Sequence, residues 1–213
     1  MSNKSQKALN IIRYSVGRKR ATFGHGFDSA YHSLNIDGEL FKGQREISKR
    51  LSVIPFDFSN KVVLDMGCNI GGMLHELKGI KYGIGLDYNS KCINAANFIS
   101  QVNGRDNLSF YTFDFDKEDI NFIENFCTLD VDMCFILAMA LWIKQWKELI
   151  KYAYGLSPNL LYETNGNEEF QQEQVELLKS LYSHVEQMTD CSNDDNRADH
   201  KRNKARKLFL CLR

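Results

Sequence analysis

The sequence predicts a doubly wound α/β domain built on a parallel sheet. Three observations lead there. From residue 61 onward, short apolar runs containing β-branched residues alternate with segments of helical period. A glycine-rich turn at residues 67–72 joins the first run to the first helical segment. Acids stand at the ends of the first three runs, at Asp65, Asp87 and Asp114, where open α/β sheets bind their ligands.

In chain order, residues 3–16 read as a short basic helix with Leu9, Ile12 and Val16 on one side, a packed arm or a lid. Residues 21–43 are rich in Gly, His and aromatics and read as an ordered loop around a site, with Asp37-Gly38 as a turn. Residues 44–54 return to helical period through Ile47, Leu51 and Ile54, and stop before Pro55. The first sheet strand is 61–64. A helix over 70–77 follows, with Met73, Leu74 and Leu77 on one face, then a strand over 82–86 ending at Asp87. A helix spans 90–102, capped by Asn89 or Ser90. Then come a strand at 108–113, a helix at about 117–126, a strand at 131–137 and a helix at 142–156 that buries Trp146, Leu149 and Ile150. Pro158 starts a strand over 159–163. An amphipathic helix spans 168–182, and strands at 185–188 and 207–212 flank a polar loop at 190–204. The expected division is an N-terminal lid and substrate-entry segment, 1–55, and a ligand-binding domain, 56–213.

A chain of 213 residues fits one domain with a small cap. Its 27 basic and 27 acidic residues balance, so the protein as a whole is not built to coat nucleic acid. Two local basic clusters stand out, one within residues 1–20 and one from Arg197 to the end; either reads first as a solvated face. The six cysteines are scattered, with no Cys-x-x-Cys pair, which suits free thiols in a reducing cytoplasm. No metal site is expected from them. No leader sequence and no run of membrane-spanning length is visible.

The glycine turn asks which nucleotide it serves. Gly67, Asn69 and Gly72 occupy the three positions of the dinucleotide fingerprint, so the middle glycine is missing. Asp87 has the offset of a ribose-binding acid. Asp65 discriminates: a carboxylate beside the turn repels a pyrophosphate, but complements a ligand carrying an ammonium and a sulfonium. That ligand is S-adenosylmethionine.

Asp65-Met66-Gly67-Cys68-Asn69-Ile70-Gly71 resembles motif I of the class I S-adenosylmethionine-dependent methyltransferases, with Asn69 in place of its middle glycine. Gly85-Leu86-Asp87-Tyr88 resembles the ribose-binding acid motif that follows. The resemblance covers roughly residues 56–165. It implies a Rossmann-like, doubly wound, seven-stranded sheet with helices on both faces and an N-terminal helical lid, the last two strands forming its reversed hairpin. It implies S-adenosyl-L-methionine as cofactor and S-adenosyl-L-homocysteine as product. The cofactor would be held by Asp65, Gly67, Cys68, Asn69 and Gly71, with Asp87 on the ribose and Tyr88 against the adenine. Asp114 would accept from the adenine amino group, with Asp116 as its rival, and the amide of Phe115 would face the ring. Leu137 would contact the methionine part through its carbonyl. Arg45, with Lys42 and Gln44 as companions, resembles the basic residues that close over the cofactor's carboxylate.

The reaction asks the protein to orient the acceptor, exclude water and remove a proton where the acceptor is a hydroxyl. His32 and Glu163 are the candidate catalytic residues; His25 reads as a loop histidine and His75 as structural. No Asn/Asp-Pro-Pro-aromatic motif follows the strand at 131–137 and no Asp ends it. The resemblance then implies transfer to oxygen or nitrogen of a small polar acceptor, a sugar or phosphorylated surface-glycan precursor by analogy. An enzyme of transfer RNA, using the basic arm and tail, is the second reading, and a non-catalytic cofactor-binding subunit the third.

Overall fold

Strand β3 (Val62–Met66) is buried along its whole length, as the centre of a parallel sheet requires. The structure is a computed structural model; it describes residues 1–16, 27–28, 31–196 and 206–213. Four more parallel strands surround β3: β4 (Tyr82–Asp87), β5 (Leu108–Thr112), β6 (Met133–Leu137) and β7 (Asn159–Glu163). Strands β8 (His184–Thr189) and β9 (Leu208–Leu212) complete a seven-stranded sheet in the order β5-β4-β3-β6-β7-β9-β8. Only β9 runs against its neighbours, β7 and β8. The chain therefore winds outward from β3 in both directions, and the strand order reverses between β3 and β6. That reversal opens the crevice in which such sheets bind ligands.

Strand parity decides which side chains reach which face. Val62, Leu64 and Met66 of β3 join Ile84, Leu86, Cys134, Ile136, Leu160, Tyr162, Phe209 and Cys211 in one core layer. Helices α5 (Trp146–Leu156) and α6 (Glu168–Leu181) cover that face through Trp146, Leu149, Ile150, Val175 and Leu178. Val63, Met133, Phe135, Leu161, Leu208 and Leu210 face the other way. Helices α2 (Ile47–Leu51), α3 (Gly72–Glu76) and α4 (Ser90–Val102) cover this second face through Ile47, Met73, Leu74, Ile93 and Ala96. Asp65 and Glu163 have the parity of this second face. That shared parity brings them to one wall.

A third apolar cluster lies outside the sheet. Helix α1 (Asn3–Val16) presses Ala8, Leu9 and Ile12 against Cys92, Ala95 and Ile99 of α4. A hairpin of β1 (Leu34–Ile36) and β2 (Glu39–Phe41) adds Leu34, Ile36 and Phe41. Asp37 and Gly38 turn it, both with positive φ, 54° and 81°, the backbone of a two-residue hairpin turn. The expected ordered loop thus carries a hairpin, and α1 is a packed arm. Among the described residues no helix is long and apolar enough to cross a membrane.

Several boundaries shift for local reasons. The expected helix over 44–54 is confined to α2, because residues 44–46 are extended instead. Arg45 N donates to Tyr31 O and Ser33 N donates to Arg45 O, both at 2.7 Å, while Glu46 N donates to Asp194 O. The segment expected to be helical over 117–126 is a 3-10 turn, Ile120–Phe126, begun by the Asp119 side chain accepting from Asn121 N. Helix α5 starts at Trp146 rather than 142, because Lys144 N is held by Asp116 Oδ1 at 2.8 Å. Asp65 stands inside β3 rather than after it. The core strands at 82–87 and 159–163 and the helix at 90–102 lie where the periodicity puts them.

If α1 is an integral part of the fold, Ile12→Ala costs about 2–5 kcal/mol of unfolding free energy, as for other fully buried aliphatic truncations. A denaturant titration measures it. A change below about 0.5 kcal/mol would mean that α1 is a loosely held flap.

Candidate active site

At the carboxyl ends of β3, β4, β6 and β7 lies a cavity of about 860 Å³, within the range of about 300–1,000 Å³ that holds a drug-sized ligand. Its floor is the turn after β3. Gly67 N and Cys68 N both donate to Leu86 O, at 2.8 and 2.9 Å, which folds the turn back over β4. Gly67 has φ 84°, and a Cβ there would stand 2.2 Å from the Met139 Sδ. Asn69 takes a left-handed φ of 55°, which asparagine tolerates, so the missing middle glycine does not break the turn.

Asp87 is fixed from both sides. Its Oδ2 accepts from Asn69 N at 2.9 Å and its Oδ1 from Asn89 N at 2.8 Å. The two bonds hold the carboxylate in one plane, and a carboxylate oxygen can accept from more than one donor. A vicinal diol presents two such donors. Asp65 is 2 % exposed. Burial pushes its carboxyl up to about 7, with Arg50 opposing and Asp87 reinforcing. A cationic partner would shift this buried acid toward its ionised form.

Arg50 is the most deeply buried of the described cations that line the wall, the others being Lys117, Lys144 and Arg206. It sits on α2, and its guanidinium donates to Glu163 at 3.2 and 3.3 Å and pairs with Asp194 Oδ2 at 2.8 Å. Arg45 lies outside the cavity lining. It is 1 % exposed and bound to Asp194 at 2.8 Å and Asp195 at 3.7 Å. Arg50, five residues on, lines the cavity and Arg45 does not, because residue 45 belongs to the extended segment and faces residues 194–195. A sign of this was visible: an arginine three residues after Ile47 lies on the apolar face of its helix. Lys42 and Gln44 also lie outside the lining, and Gln44 donates to Asp195.

Of the expected residues, His32, Asp65, Gly67, Cys68, Asn69, Asp87, Tyr88, Asp114, Phe115, Leu137 and Glu163 all line the cavity. Gly71 does not; with φ 73° it turns the chain into α3. Asp114 stands at the rim, its carboxylate accepting from Asp116 N and Lys117 Nζ, and Asp116 lines the cavity beside it. His32 packs on the turn so closely that a Cβ on Gly72 would come within 2.4 Å of its ring. Burial, and next the charge of Arg50, lower the imidazole to about 3, so it is neutral. Glu163 Oε1 also accepts from Ser192 Oγ at 3.2 Å, and Arg206 lies 4.0 Å from Oε2. Lining residues not foreseen include Arg50, Trp142 and Arg206. His75 stacks at 5.3 Å on Phe110, a packing role. His25 lies outside the described residues.

No family model matches the sequence, and no curated protein matches it. Solved structures do match in fold. The N-terminal domain of EvdMO1, crystallised in the presence of SAH and D-fucose, is 12% identical with a TM-score of 0.61. That match covers 100% of this chain and 97% of that one. Against EvdMO1 itself the identity is 15%, the TM-score 0.57 and the coverage 78% of this chain but 40% of that one. The bifunctional kinase-methyltransferase WbdD gives 19% and 0.59, over 80% of this chain and 40% of that one. A putative RNA methyltransferase from Pyrococcus horikoshii gives 12% and 0.52, over 78% and 80%. What this chain shares with these proteins is the Rossmann-like methyltransferase fold, and it spans less than half the length of EvdMO1 and WbdD.

The raised Asp65 carboxyl has a signed consequence. A ligand ammonium near Asp65 prefers the ionised acid, so binding releases a proton below pH 7. Affinity for S-adenosylhomocysteine then falls by up to about tenfold per pH unit as pH drops from 7 to 5.5. Titrations across that range measure this, and Asp65→Asn flattens the slope. In the unliganded protein the sign is opposite: the buried acid favours folding when neutral, a contribution fully present below about pH 4 and lost progressively as pH rises to 7. An unchanged slope in Asp65→Asn would remove Asp65 from the ligand's surroundings.

Proposed function

We propose that this chain is an S-adenosylmethionine-dependent methyltransferase acting on an oxygen or nitrogen of a small polar acceptor. The observation that carries this is the pairing of two acids across the glycine turn. Asp87, pinned by two backbone amides, suits a ribose diol. Asp65, buried beside it, suits the positive end of an amino acid rather than a pyrophosphate. In this reading Gly67, Cys68 and Asn69 pass under the cofactor, Tyr88, Asp114 and Phe115 flank its adenine, and Leu137 flanks its methionine chain. Arg50 takes the carboxylate, in the role expected of Arg45. The cofactor supplies a methyl group already activated by its sulfonium.

The protein's own part is orientation and proton removal. Glu163, held by Arg50 and Ser192, is fixed to accept a hydrogen bond from an acceptor hydroxyl or amine. His32 is neutral and weakly basic; it can take a proton that becomes acidic as the methyl arrives. Residues 1–55 form the entry segment in this reading, α1 anchoring it while residues 31–33 stand over the turn. A sugar or phosphorylated glycan precursor is the favoured acceptor class, because among the described residues the cavity wall offers mixed charge rather than a basic track. Most of the two basic clusters that would serve RNA falls in residues 17–26 and 197–205, outside the described residues. Six free thiols are consistent with a cytoplasmic setting.

Arg50 gives the sharpest check on the cofactor's orientation. Arg50→Met should weaken S-adenosylhomocysteine by tenfold or more. It should leave 5′-methylthioadenosine, which lacks the amino-acid end, within threefold. Arg50→Lys, which keeps the charge in the buried network, should fall between. Calorimetry with both ligands separates the outcomes: equal loss for both would mean that Arg50 supports the fold and does not meet the carboxylate.

A further inference from the structure

Trp142 is 73 % exposed, yet it lines the mouth of the cavity. It ends the short 3-10 turn Ala140–Trp142 that follows β6. The turn is strained and held. Ala138 has a left-handed φ of 57°, which costs a side-chain-bearing residue about 1–3 kcal/mol and survives only where neighbours over-determine it. Asn165, 2 % exposed, does so. Its Nδ2 donates to Ala138 O and its Oδ1 accepts from Leu141 N at 3.0 Å. Ala138 N donates to Glu163 O and Trp142 N to Met139 O, both at 2.8 Å. Gln174 in turn bonds the backbone of Asn165 on both sides, at 2.8 and 3.3 Å. A chain of buried amides thus runs from α6 to a turn whose last residue is a solvent-facing indole.

Such rigidity is not needed to keep an aromatic ring in water, where it gains nothing. It is useful if the ring must meet a ligand at a set place. We propose that Trp142 is the stacking platform of the acceptor subsite, and that the acceptor presents the C–H face of a sugar ring to it. This rests on the methyltransferase reading of the cavity. Charge selects a sugar over a nucleic acid. Around the indole, Asp114 pairs with Lys117 at 2.8 Å, and Asp116 accepts from Lys144 N. Among the described residues the fringe is balanced and rich in hydrogen-bonding groups, as ring hydroxyls require, whereas a polynucleotide needs a net basic track. Asn165 is the positioning residue, acting through the turn.

The test is saturation-transfer NMR on the full chain with S-adenosylhomocysteine present. The probes are D-fucose, methyl α-D-mannopyranoside and methyl β-D-galactopyranoside, with AMP and CMP as the nucleobase arm. The expected result is transfer to the ring C–H protons of at least one sugar, falling at least fivefold in Trp142→Ala. Asn165→Ala should lower the same signal while a thermal melt shows it folded, and Trp142→Phe should restore part of what Trp142→Ala loses. No Trp142-dependent sugar signal, or a stronger one from the nucleotides, overturns the proposal. Failure of the cofactor reading is separate: it would show as no binding of S-adenosylhomocysteine to the wild type.

Discussion

Four buried charges, Arg45, Asp194, Arg50 and Glu163, form one chain of contacts at 2.8, 2.8 and 3.2 Å. The rest of the site depends on it. The chain joins three parts of the sequence that are remote from one another: the approach to α2, the end of β7 and the segment after β8. Such ions lose several kcal/mol each on leaving water and recover it only if every partner is present. Removing Asp194 would leave two guanidinium groups facing each other. The network is thus a constraint on geometry more than a source of stability. It holds Arg50 against the cavity wall instead of letting a long side chain swing into solvent.

The same network sets the electrostatics of the cavity. Arg50 lowers the Asp65 carboxyl, but burial and Asp87 outweigh it, and Asp65 is left near 7. Arg50 also helps to keep His32 uncharged. The wall therefore carries Arg50, bound to Glu163 and Asp194, beside Asp87, held by two backbone amides, and Asp65, whose carboxyl is raised to about 7. An amino-acid end with a positive and a negative group satisfies both Asp65 and Arg50. Few other ligands would, which is why the glycine turn alone, shared with dinucleotide sites, is a weaker guide than the acids around it.

Much of this was legible in the sequence, for physical reasons that differ by element. β3, β4 and β7 announce themselves because strands buried on both faces read as apolar runs. Helix α4 is bounded by an asparagine cap whose chemistry is local. Asp65, Gly67, Asn69 and Asp87 lie within 23 residues of one another, so their juxtaposition follows from one strand-turn-helix-strand unit. The spacing from Ile47 marks Arg50 as facing the core, but its partner Asp194 lies 144 residues away in sequence, so the spacing does not say what it meets. Residues 44–46 were assigned to a helix for the same reason: their extended form is dictated by pairing with residues 31–33 and 194–196. Trp142 reads in the sequence as the start of a helix; the bonds from Lys144 N to Asp116 and from Leu141 N to Asn165 hold it outside α5.

On the proposed reading, the acid-flanked glycine turn holds an adenosyl amino acid. Calorimetric titration of S-adenosylhomocysteine into wild type and Asp87→Ala, with NAD as the control ligand, tests it most directly. The expected result is binding to the wild type, loss of at least tenfold in Asp87→Ala, and no heat from NAD. Binding of NAD, or no binding of S-adenosylhomocysteine by the wild type, would contradict it.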